Sequence, residues 1–319
     1  GILGAWRNPA VNYEYVHTAS TLYRVNTATG TIDATMALPW TAIVPMEMCG
    51  TATRIVFLMG ALPYYVAPTL AGGPTLITLP DGQQAVSCAW LGGYFWIYCA
   101  SGRVYWSVDG ATWDALDFAN SETLSDSGFR VRTIGDKLVL IGERTIEFWG
   151  STGVSAIPYR LIPGSTIQFD AYRNGLRQVA NVGDRLFIWG SANGGRNGLY
   201  ELRGNAMQHI TTSDLEFATA DTFLSISAFE WFGRPFVSLY RQGGVSWLID
   251  VDMGVASRIV GTTAYAGHVT FLASQSQVNV ANSAGVRRMD PTLVDEDIRR
   301  ITTDNLVSPD LDRITVDKV

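Results

Sequence analysis

Residues 85–116 read AVSCAWLGGYFWIYCASGRVYWSVDGATWDAL, and this stretch predicts one sheet of four short strands. Its apolar runs are separated by Gly92-Gly93, Ser101-Gly102 and Asp109-Gly110. Glycine accepts the positive φ that tight hairpin turns need, so each dipeptide is a natural corner. The stretch is therefore typical of an antiparallel meander.

The same unit recurs along the chain. Related units lie at 129–153, 176–211 and 226–253, with weaker copies at 13–38, 53–68 and 268–290. Units begin near residues 41, 85, 129, 175, 225 and 265, a spacing of about 40–50 residues that is typical of propeller blades. One four-stranded sheet cannot bury both of its apolar faces, whereas sheets stacked around an axis can, and closing the ring protects the edges.

The predicted fold class is all-β, a β-propeller of six or seven four-stranded blades over residues 1–290. The first of the seven units lacks a clear inner strand and the last lacks a clear outer one, so closure could merge them. A sandwich explains the period less well, and a solenoid needs shorter repeats. Residues 291–319 hold seven acidic and four basic residues. They are predicted to form an acidic extension that lies on a partner or continues into a further segment, with a partly mobile tail as the alternative.

Composition excludes several classes of protein. Apolar residues make up 47 % of the 319 residues and charged residues 16 %, so a large core can form. The formal net charge of −6 has the wrong sign for a protein that grips phosphate. No apolar run approaches ~20 residues, so no membrane insertion is expected. The start carries neither a signal-peptide pattern nor a Met, so we expect a processed N-terminus or a piece of a longer product.

The three cysteines are interpreted as small buried hydrophobes made in a reducing compartment. With a two-residue turn at 92–93, Cys88 would face Ile97 and Cys99 would face Val86. The sulfurs of Cys88 and Cys99 would then be diagonal neighbours, too far apart to bridge easily.

The stretch SVDGATWDALD (107–117) resembles the Asp-box of sialidases and related propellers. The residues that carry the resemblance are Ser107, Asp109, Gly110, Thr112 and Trp113, with one residue fewer between the acid and the threonine. We expect a structural turn between the third and fourth strands of a blade. Its carboxylate would accept hydrogen bonds from turn amides, its glycine would take the positive φ, and its tryptophan would pack under the hairpin.

A sialidase would also need three arginines for a substrate carboxylate and a tyrosine–glutamate pair. Candidates are Arg130, Arg132, Arg144, Arg160, Arg173, Arg177 and Arg185, with Glu143 and Glu147. No spacing among them singles out a triad. No catalytic residue, cofactor-binding residue or metal ligand is therefore assigned.

Other polar groups have structural interpretations. Asp250 and Asp252 could hold calcium, but a turn cap is favoured. The acidic run 295–297 is interpreted as solvated, and the glycine-rich segment 191–198 as a long hairpin turn. The histidines His17, His209 and His268 have no metal-binding spacing.

Several phrases together resemble the packaged-DNA stabilisation proteins of short-tailed bacteriophages, also called tail hub or nozzle proteins. They are GDKLVLIGERTIEFWGSTG (135–153), PYRLIPGSTIQFDA (158–171), VANVGDRLFIWGSANGGRNGLYELRG (179–204) and WSVDGATWDALDFANSE (106–122). The resemblance spans most of residues 85–290. It rests on the order of these phrases rather than on one signature.

The resemblance implies a structural virion protein of the phage tail, not an enzyme. It implies a homo-hexameric ring below the portal and adaptor, which extends the DNA channel and helps to retain packaged DNA until ejection. Double-stranded DNA would pass through the lumen without sequence-specific binding. The alternatives are a carbohydrate-binding or sialidase-like propeller, and a cellular propeller scaffold that binds peptides as a monomer.

Overall fold

The computed structural model describes a chain of strands joined by short turns. The described residues are 2–8, 10–29, 31–42, 46–121, 126–171, 179–192, 197–210, 224–231, 233–241, 246–259, 265–272, 277–282, 285–289 and 301–302. Within them the strands form seven antiparallel units in chain order, which are the blades of a propeller. No helix in the described part of the chain is long and apolar enough to cross a membrane.

The blades are listed by their strands. Blade 1 contains β1 (Ile2–Asn8), β2 (Tyr13–Thr18), β3 (Thr21–Asn26) and β4 (Ile32–Ala37). Blade 2 contains β5 (Glu47–Gly50), β6 (Ile55–Met59), β7 (Leu62–Val66) and β8 (Thr75–Leu76). Blade 3 contains β9 (Ala85–Leu91), β10 (Tyr94–Cys99), β11 (Arg103–Ser107) and β12 (Phe118–Asn120). Blade 4 contains β13 (Gly128–Ile134), β14 (Lys137–Gly142), β15 (Thr145–Ser151) and β16 (Tyr159–Leu161).

The remaining strands continue the pattern. β17 (Ile167–Ala171) pairs with β15 and β19 and so links blades 4 and 5. Blade 5 contains β18 (Val179–Val182), β19 (Arg185–Ala192), β20 (Gly198–Arg203) and β21 (Ala206–His209). Blade 6 contains β22 (Leu224–Trp231), β23 (Arg234–Arg241), β24 (Ser246–Asp250) and β25 (Val255–Ile259). Blade 7 contains β26 (Tyr265–Leu272), β27 (Gln277–Asn282) and β28 (Gly285–Met289), and β29 (Ile301–Thr302) pairs with β25.

The first strand of each blade faces the axis, and the ring closes. β5 packs on β1 and on β9, and β9 packs on β13. β22 packs on β18 and on β26, and β26 returns to β1. Between blades 4 and 5, Arg132 Nη2 donates to the carbonyl oxygen of Val179 at 3.5 Å.

The second strand of each central blade is apolar on both sides because it lies between two cores. In β10, Phe95, Ile97 and Cys99 face blade 2. The intervening Trp96 and Tyr98 face blade 4. Strand alternation thus converts an unbroken apolar run into two packed faces. Burying a side chain of this size contributes roughly 1.5–3 kcal/mol, which explains why the blades stack rather than stand alone.

The predicted unit starts agree with the inner strands to within about six residues, but three expectations were wrong. The first unit was expected to lack a clear inner strand, but blade 1 has one, β1. Its glycine-containing sequence has no regular alternation of apolar and polar residues. The fourth strand of blade 3 lies at Phe118–Asn120, beyond residue 116, because the preceding turn occupies 108–117. Cys88 pairs with Ile97 as predicted, but a register shift after Tyr98 places Cys99 opposite Ala85 rather than Val86.

Two further predictions concern the end of the chain: the outer strand of the last blade and the C-terminal extension. Three strands of blade 7 are described, and a fourth would fall outside the described residues. The predicted extension 291–319 also lies outside them, apart from residues 301–302.

Candidate functional site

The inner strands of blades 1 to 6 surround a central cavity of about 640 Å³. Its wall is mixed: Trp6, Met48 and Phe229 supply apolar surface, and Glu47 and Arg132 supply charge. A cavity at the axis follows from the fold, since the inner strands of a ring cannot all touch one another. It is the first place to look for a binding site in a propeller.

A buried ion-pair cluster bridges blades 2, 3 and 4 at this cavity. Arg132 Nη1 donates to Glu47 Oε2 at 2.7 Å, and Nη2 donates to Oε1 at 3.0 Å. The Oγ of Ser87 accepts from Arg132 Nη1 at 3.1 Å and donates to Glu47 Oε2 at 3.3 Å. Arg130 Nε lies 3.5 Å from Glu47 Oε1. The cluster uses the Glu47 carboxylate internally, so these groups hold the blades in register.

Glu47 and Ser87 were not singled out from the sequence. Their signal is a polar residue within an otherwise apolar inner strand, in MEMCG (46–50) and AVSCAW (85–90). Such a residue must find a partner when the strand is buried. The partner of such a polar residue depends on the curvature of the ring, which cannot be predicted from the sequence.

The Asp-box-like residues lie together in the turn between β11 and β12. Asp109 Oδ1 accepts from the amides of Ala111 and Thr112, each at 2.8 Å, and from Ser107 Oγ at 3.0 Å. Thr112 Oγ1 donates to Asp109 Oδ2 at 3.1 Å. Ser107 Oγ also accepts from the amide of Gly110 at 3.0 Å. The polar atoms of the turn therefore satisfy one another.

These hydrogen bonds lower the pKa of the Asp109 carboxyl group. Desolvation acts to raise the pKa of Asp109, but the backbone amides of Thr112 and Ala111 and the hydroxyls of Ser107 and Thr112 outweigh it. They lower the pKa to about 2. Gly110 has a φ of +69°, and a Cβ there would lie 2.9 Å from the ring of Phe95. Glycine is thus required twice, by conformation and by space.

Trp113 is half-buried and packs on the core between blades 2 and 3, together with Tyr65 and Phe118. Its Nε1 atom is buried and has no hydrogen-bond partner among the described residues. The indole therefore contributes apolar surface beneath the turn. This geometry supports a structural role for the motif, which stays a prediction.

The other sialidase-like candidates do not converge on the cavity. Arg185 pairs with Glu201 and Asp252 in blades 5 and 6. Glu147 is 1 % exposed and accepts from Trp149 Nε1 at 3.0 Å. Arg144 and Arg160 lie on other parts of blade 4, and Arg173 and Arg177 lie outside the described residues.

One tyrosine does lie near a buried glutamate. Burial raises the pKa of Tyr98 well above its usual range, a hydrogen bond with Ser121 opposes this, and the Glu147 carboxylate adds to the rise. Both side chains are about 1 % exposed and lie away from the cavity wall. A glycosidic substrate could not reach this pair.

The remaining polar candidates also have local partners. Asp250 Oδ1 accepts from the amide of Met253 at 3.1 Å, which is the turn cap that was favoured. His17 Nε2 accepts from the amide of Met46 at 3.1 Å, and His209 lies edge-on to Tyr200. The side chain of His268 and the acidic run 295–297 lie outside the described residues.

Two further sequence predictions concern the glycine-rich segment 191–198 and metal binding. Segment 191–198 joins the antiparallel strands β19 and β20, and the turn predicted within it falls on residues 193–196, outside the described residues. In the part of the chain that is described, no group of three His, Cys, Asp or Glu residues is placed to hold a metal ion.

Large exposed apolar side chains concentrate on one face of the propeller. We define face A as the face that carries the turns between first and second strands and between third and fourth strands; face B carries the other connections. Seven exposed apolar residues lie at face A: Ile32, Trp90, Val108, Leu116, Val154, Ile157 and Met253. Among the described residues, face B carries three: Trp40, Leu62 and Leu76. Large exposed apolar side chains are therefore more numerous at face A than at face B.

Some charged residues at face A are paired within the chain. Arg24 pairs with Asp33, and Arg185 with Asp252. Asp184 Oδ1 accepts from the amide of Gly135 at 3.0 Å, which ties blade 5 to blade 4.

Comparison with known proteins agrees with the architecture. The family described as "Bacteriophage P22 Gp10, beta-propeller" matches residues 3–222. The crystal structure of BamB from Moraxella catarrhalis is similar at 11 % identity with a TM-score of 0.54, covering 90 % of this chain and 82 % of that one. The Cps50 (Swd1) β-propeller domain from Myceliophteria thermophila gives 10 % identity and a TM-score of 0.52, covering 76 % and 80 %. These two likenesses show the fold alone, and a comparison with curated protein sequences gave no match.

Proposed function

The chain belongs to the bacteriophage P22 Gp10 β-propeller family, and from that membership we propose that its copies form a ring in the phage tail. It is a structural, virion-associated phage protein. In the proposed assembly six copies form a nozzle below the portal and adaptor. The nozzle extends the DNA channel and helps to retain packaged DNA until ejection. The family match, over more than half of the chain, carries this proposal.

The dimensions of the propeller explain why a ring of copies is needed. The central cavity holds about 640 Å³, and the Glu47–Arg132 pair spans blades 2 and 4 at its wall. A sphere of this volume is only about 11 Å across, whereas the major groove of duplex DNA, which is just part of its width, is already about 12 Å across. DNA therefore cannot thread a single propeller. A channel wide enough must lie between copies.

The charge balance supports passage rather than capture. The chain has a formal net charge of −6. Seven described arginines are held in ion pairs within the chain: Arg24, Arg103, Arg130, Arg132, Arg185, Arg203 and Arg234. Affinity for DNA comes largely from cations that neutralise phosphates, so a lumen formed by this chain would let the duplex slide.

Face A supplies a surface for assembly. We assign it to contact with a neighbouring tail protein, because seven large apolar side chains are exposed there and some of its charged residues are paired within the chain. Permanent assemblies use apolar interfaces of this kind. Leu116, at 84 % exposure, and Ile157, at 54 %, lie on blades 3 and 4 and serve as probes of this face.

A sialidase-like function has no comparable support among the described residues. Arg130 and Arg132 converge on Glu47, a residue of the chain itself, and so do not present a free arginine cluster to a substrate carboxylate. The Asp-box-like turn satisfies its own polar atoms.

Immunogold labelling of intact particles tests the placement. An antibody against this chain is expected to label the single tail vertex. If no particle is labelled although the antibody still recognises the denatured virion protein on a blot, exposure of the chain at the tail would be contradicted. Label spread over the capsid would contradict the tail placement itself.

A matched pair of variants tests the assignment of face A. Leu116→Asp combined with Ile157→Asp is expected to keep the fold and abolish incorporation into particles, because two charges are placed in an apolar contact. Leu62→Asp, an exposed residue at face B, is the control and is expected to be incorporated normally. Equal incorporation of the double variant and the control would contradict the assignment.

A further inference from the structure

We propose that Cys49 and Cys88 form a dithiol across the contact of blades 2 and 3, and that a low-molecular-weight disulfide oxidises it to a bond joining the two blades. The inference is independent of the phage function. It concerns two thiols that the sequence indicated to be inert hydrophobes. Both are free and buried.

Strand register places the two side chains together. Cys49 on β5 lies directly opposite Val56 on β6, and directly paired residues point to the same side of a sheet. Both belong to the core between blades 2 and 3, and so does Cys88 on β9. The Sγ of Cys88 lies 3.8 Å from the carbonyl oxygen of Val56. The Cys88 thiol therefore reaches blade 2 at the position of Cys49.

The strands that carry the two cysteines are neighbours at the axis. β5 and β9 are adjacent inner strands that pack against each other at the axis, where the blades approach most closely. The Cys49 thiol is also near enough to contribute to the raised pKa of the Cys88 thiol. Bridging needs Cα atoms about 4.4–6.8 Å apart, a separation that adjacent inner strands can reach with a small shift.

The central cavity gives a reagent access to this pair but not to the third cysteine. Cys49 and Cys88 both line the cavity of about 640 Å³. Cys99 is 0 % exposed, lies opposite Ala85 and is not part of the cavity wall. The chain thus contains its own matched control.

The chemistry is a two-step thiol–disulfide exchange. One cysteine thiolate attacks the small disulfide, forming a mixed disulfide and releasing one thiol. The second cysteine thiolate then attacks the protein sulfur and releases the second thiol. Two S–H bonds are lost and one S–S bond forms, while the reagent takes up two electrons and two protons to become two thiols.

The reaction is expected to be slow and to accelerate with pH. Burial, followed by the interaction with Cys49, raises the pKa of the Cys88 thiol well above its ordinary value. The thiolate is the reactive form, so its population rises as the pH increases. In a reducing cytoplasm the pair stays reduced, and it closes only when the chain meets an oxidising solution.

Incubation of the folded full chain with bis(2-hydroxyethyl) disulfide at pH 8.5 tests the proposal. After unreacted thiols are blocked under denaturing conditions, chymotryptic mapping separates Cys88 from Cys99, because aromatic residues lie between them. The expected product is a single disulfide joining the peptides of Cys49 and Cys88, with Cys99 blocked as a free thiol.

Single variants sharpen the result. Cys99→Ala is expected to form the bond as the natural chain does, and Cys49→Ala is expected to form none. If the Cys49 variant does not fold, the peptide map of the natural chain still decides. Three blocked thiols after treatment, or a bond that includes Cys99, would overturn the proposal.

Discussion

Arg132 and Glu47 form a two-armed ion pair at 2.7 and 3.0 Å although 85 residues separate them in the chain. They belong to blades 4 and 2, and Ser87 of blade 3 completes the contact. Their side chains are only 14 % and 13 % exposed. The pair therefore forms only when the three blades adopt their places around the axis. It serves as a local indicator that blades 2, 3 and 4 are stacked on one another.

Replacing Glu47 with Gln is expected to lower the free energy of unfolding by about 3 kcal/mol, because it leaves a largely buried guanidinium without its counter-charge. Urea denaturation measures the change. Asp33→Asn is the control, since the Arg24–Asp33 pair is more exposed and its loss should cost about 1 kcal/mol or less. Equal losses in the two variants would contradict the role assigned to Glu47.

Gly142→Ala is expected to destabilise the junction of blades 3 and 4 by about 2 kcal/mol through overpacking. A Cβ at this position would lie 2.3 Å from Asp126 Oδ2. That oxygen accepts from the amides of Arg144 and Thr145 at 2.7 and 3.0 Å and so cannot move away freely. Thermal melting measures the effect.

Gly150→Ala is the matched control for this change. Its added Cβ would meet only the end of the Ile162 side chain, at 3.3 Å. The control should therefore melt close to the natural chain. A melting temperature for Gly142→Ala equal to that of Gly150→Ala would show that Asp126 is not fixed in place.

Trp113→Ala is expected to lower stability by about 2 kcal/mol, since a half-buried aromatic side chain is lost from the core of blades 2 and 3. Trp40→Ala, which removes a tryptophan that is 62 % exposed, should have a smaller effect. Calorimetry and a glycan array together separate the interpretations of the Asp-box-like turn. If Trp113→Ala left the melting temperature unchanged but abolished glycan binding, the structural interpretation of the turn would be contradicted.

The turn also predicts a dependence on acid. The hydrogen bonds lower the pKa of Asp109 from 3.8 to about 2, so its ionised form is preferred in the folded state. Their stabilisation is fully present above pH 3.8 and is lost as the pH falls toward 2. The difference in melting temperature between the natural chain and Asp109→Asn should be constant at neutral pH and shrink below pH 4. An equal difference at pH 6 and pH 3 would contradict the assignment.

Sequence reasoning recovered the local features of this fold. The Gly92-Gly93 turn and the two-sided apolar run of β10 are each encoded within a few residues. Strand β1 was missed because ILGAWRN lacks a regular alternation and becomes an inner strand only when β26 and β5 pack beside it. The register shift after Tyr98 was also missed, since strand pairing rather than sequence determines it.

The candidate site was predicted less completely, for the same reason. The Asp-box-like turn is local, and its residues do come together. The Glu47–Ser87–Arg132 cluster and the apposition of Cys49 with Cys88 join residues from different blades. Such contacts depend on the number of blades and on their tilt about the axis, which no short stretch of sequence specifies.

Electron cryomicroscopy of the tail vertex of intact particles tests the central claim most directly. The account predicts six copies of this propeller in a closed ring below the portal and adaptor, with the duplex passing between the copies and not through any single propeller. The central cavity of each copy would remain bridged by Glu47 and Arg132. Propellers that occur singly at the tail periphery, with no ring around the DNA path, would contradict it.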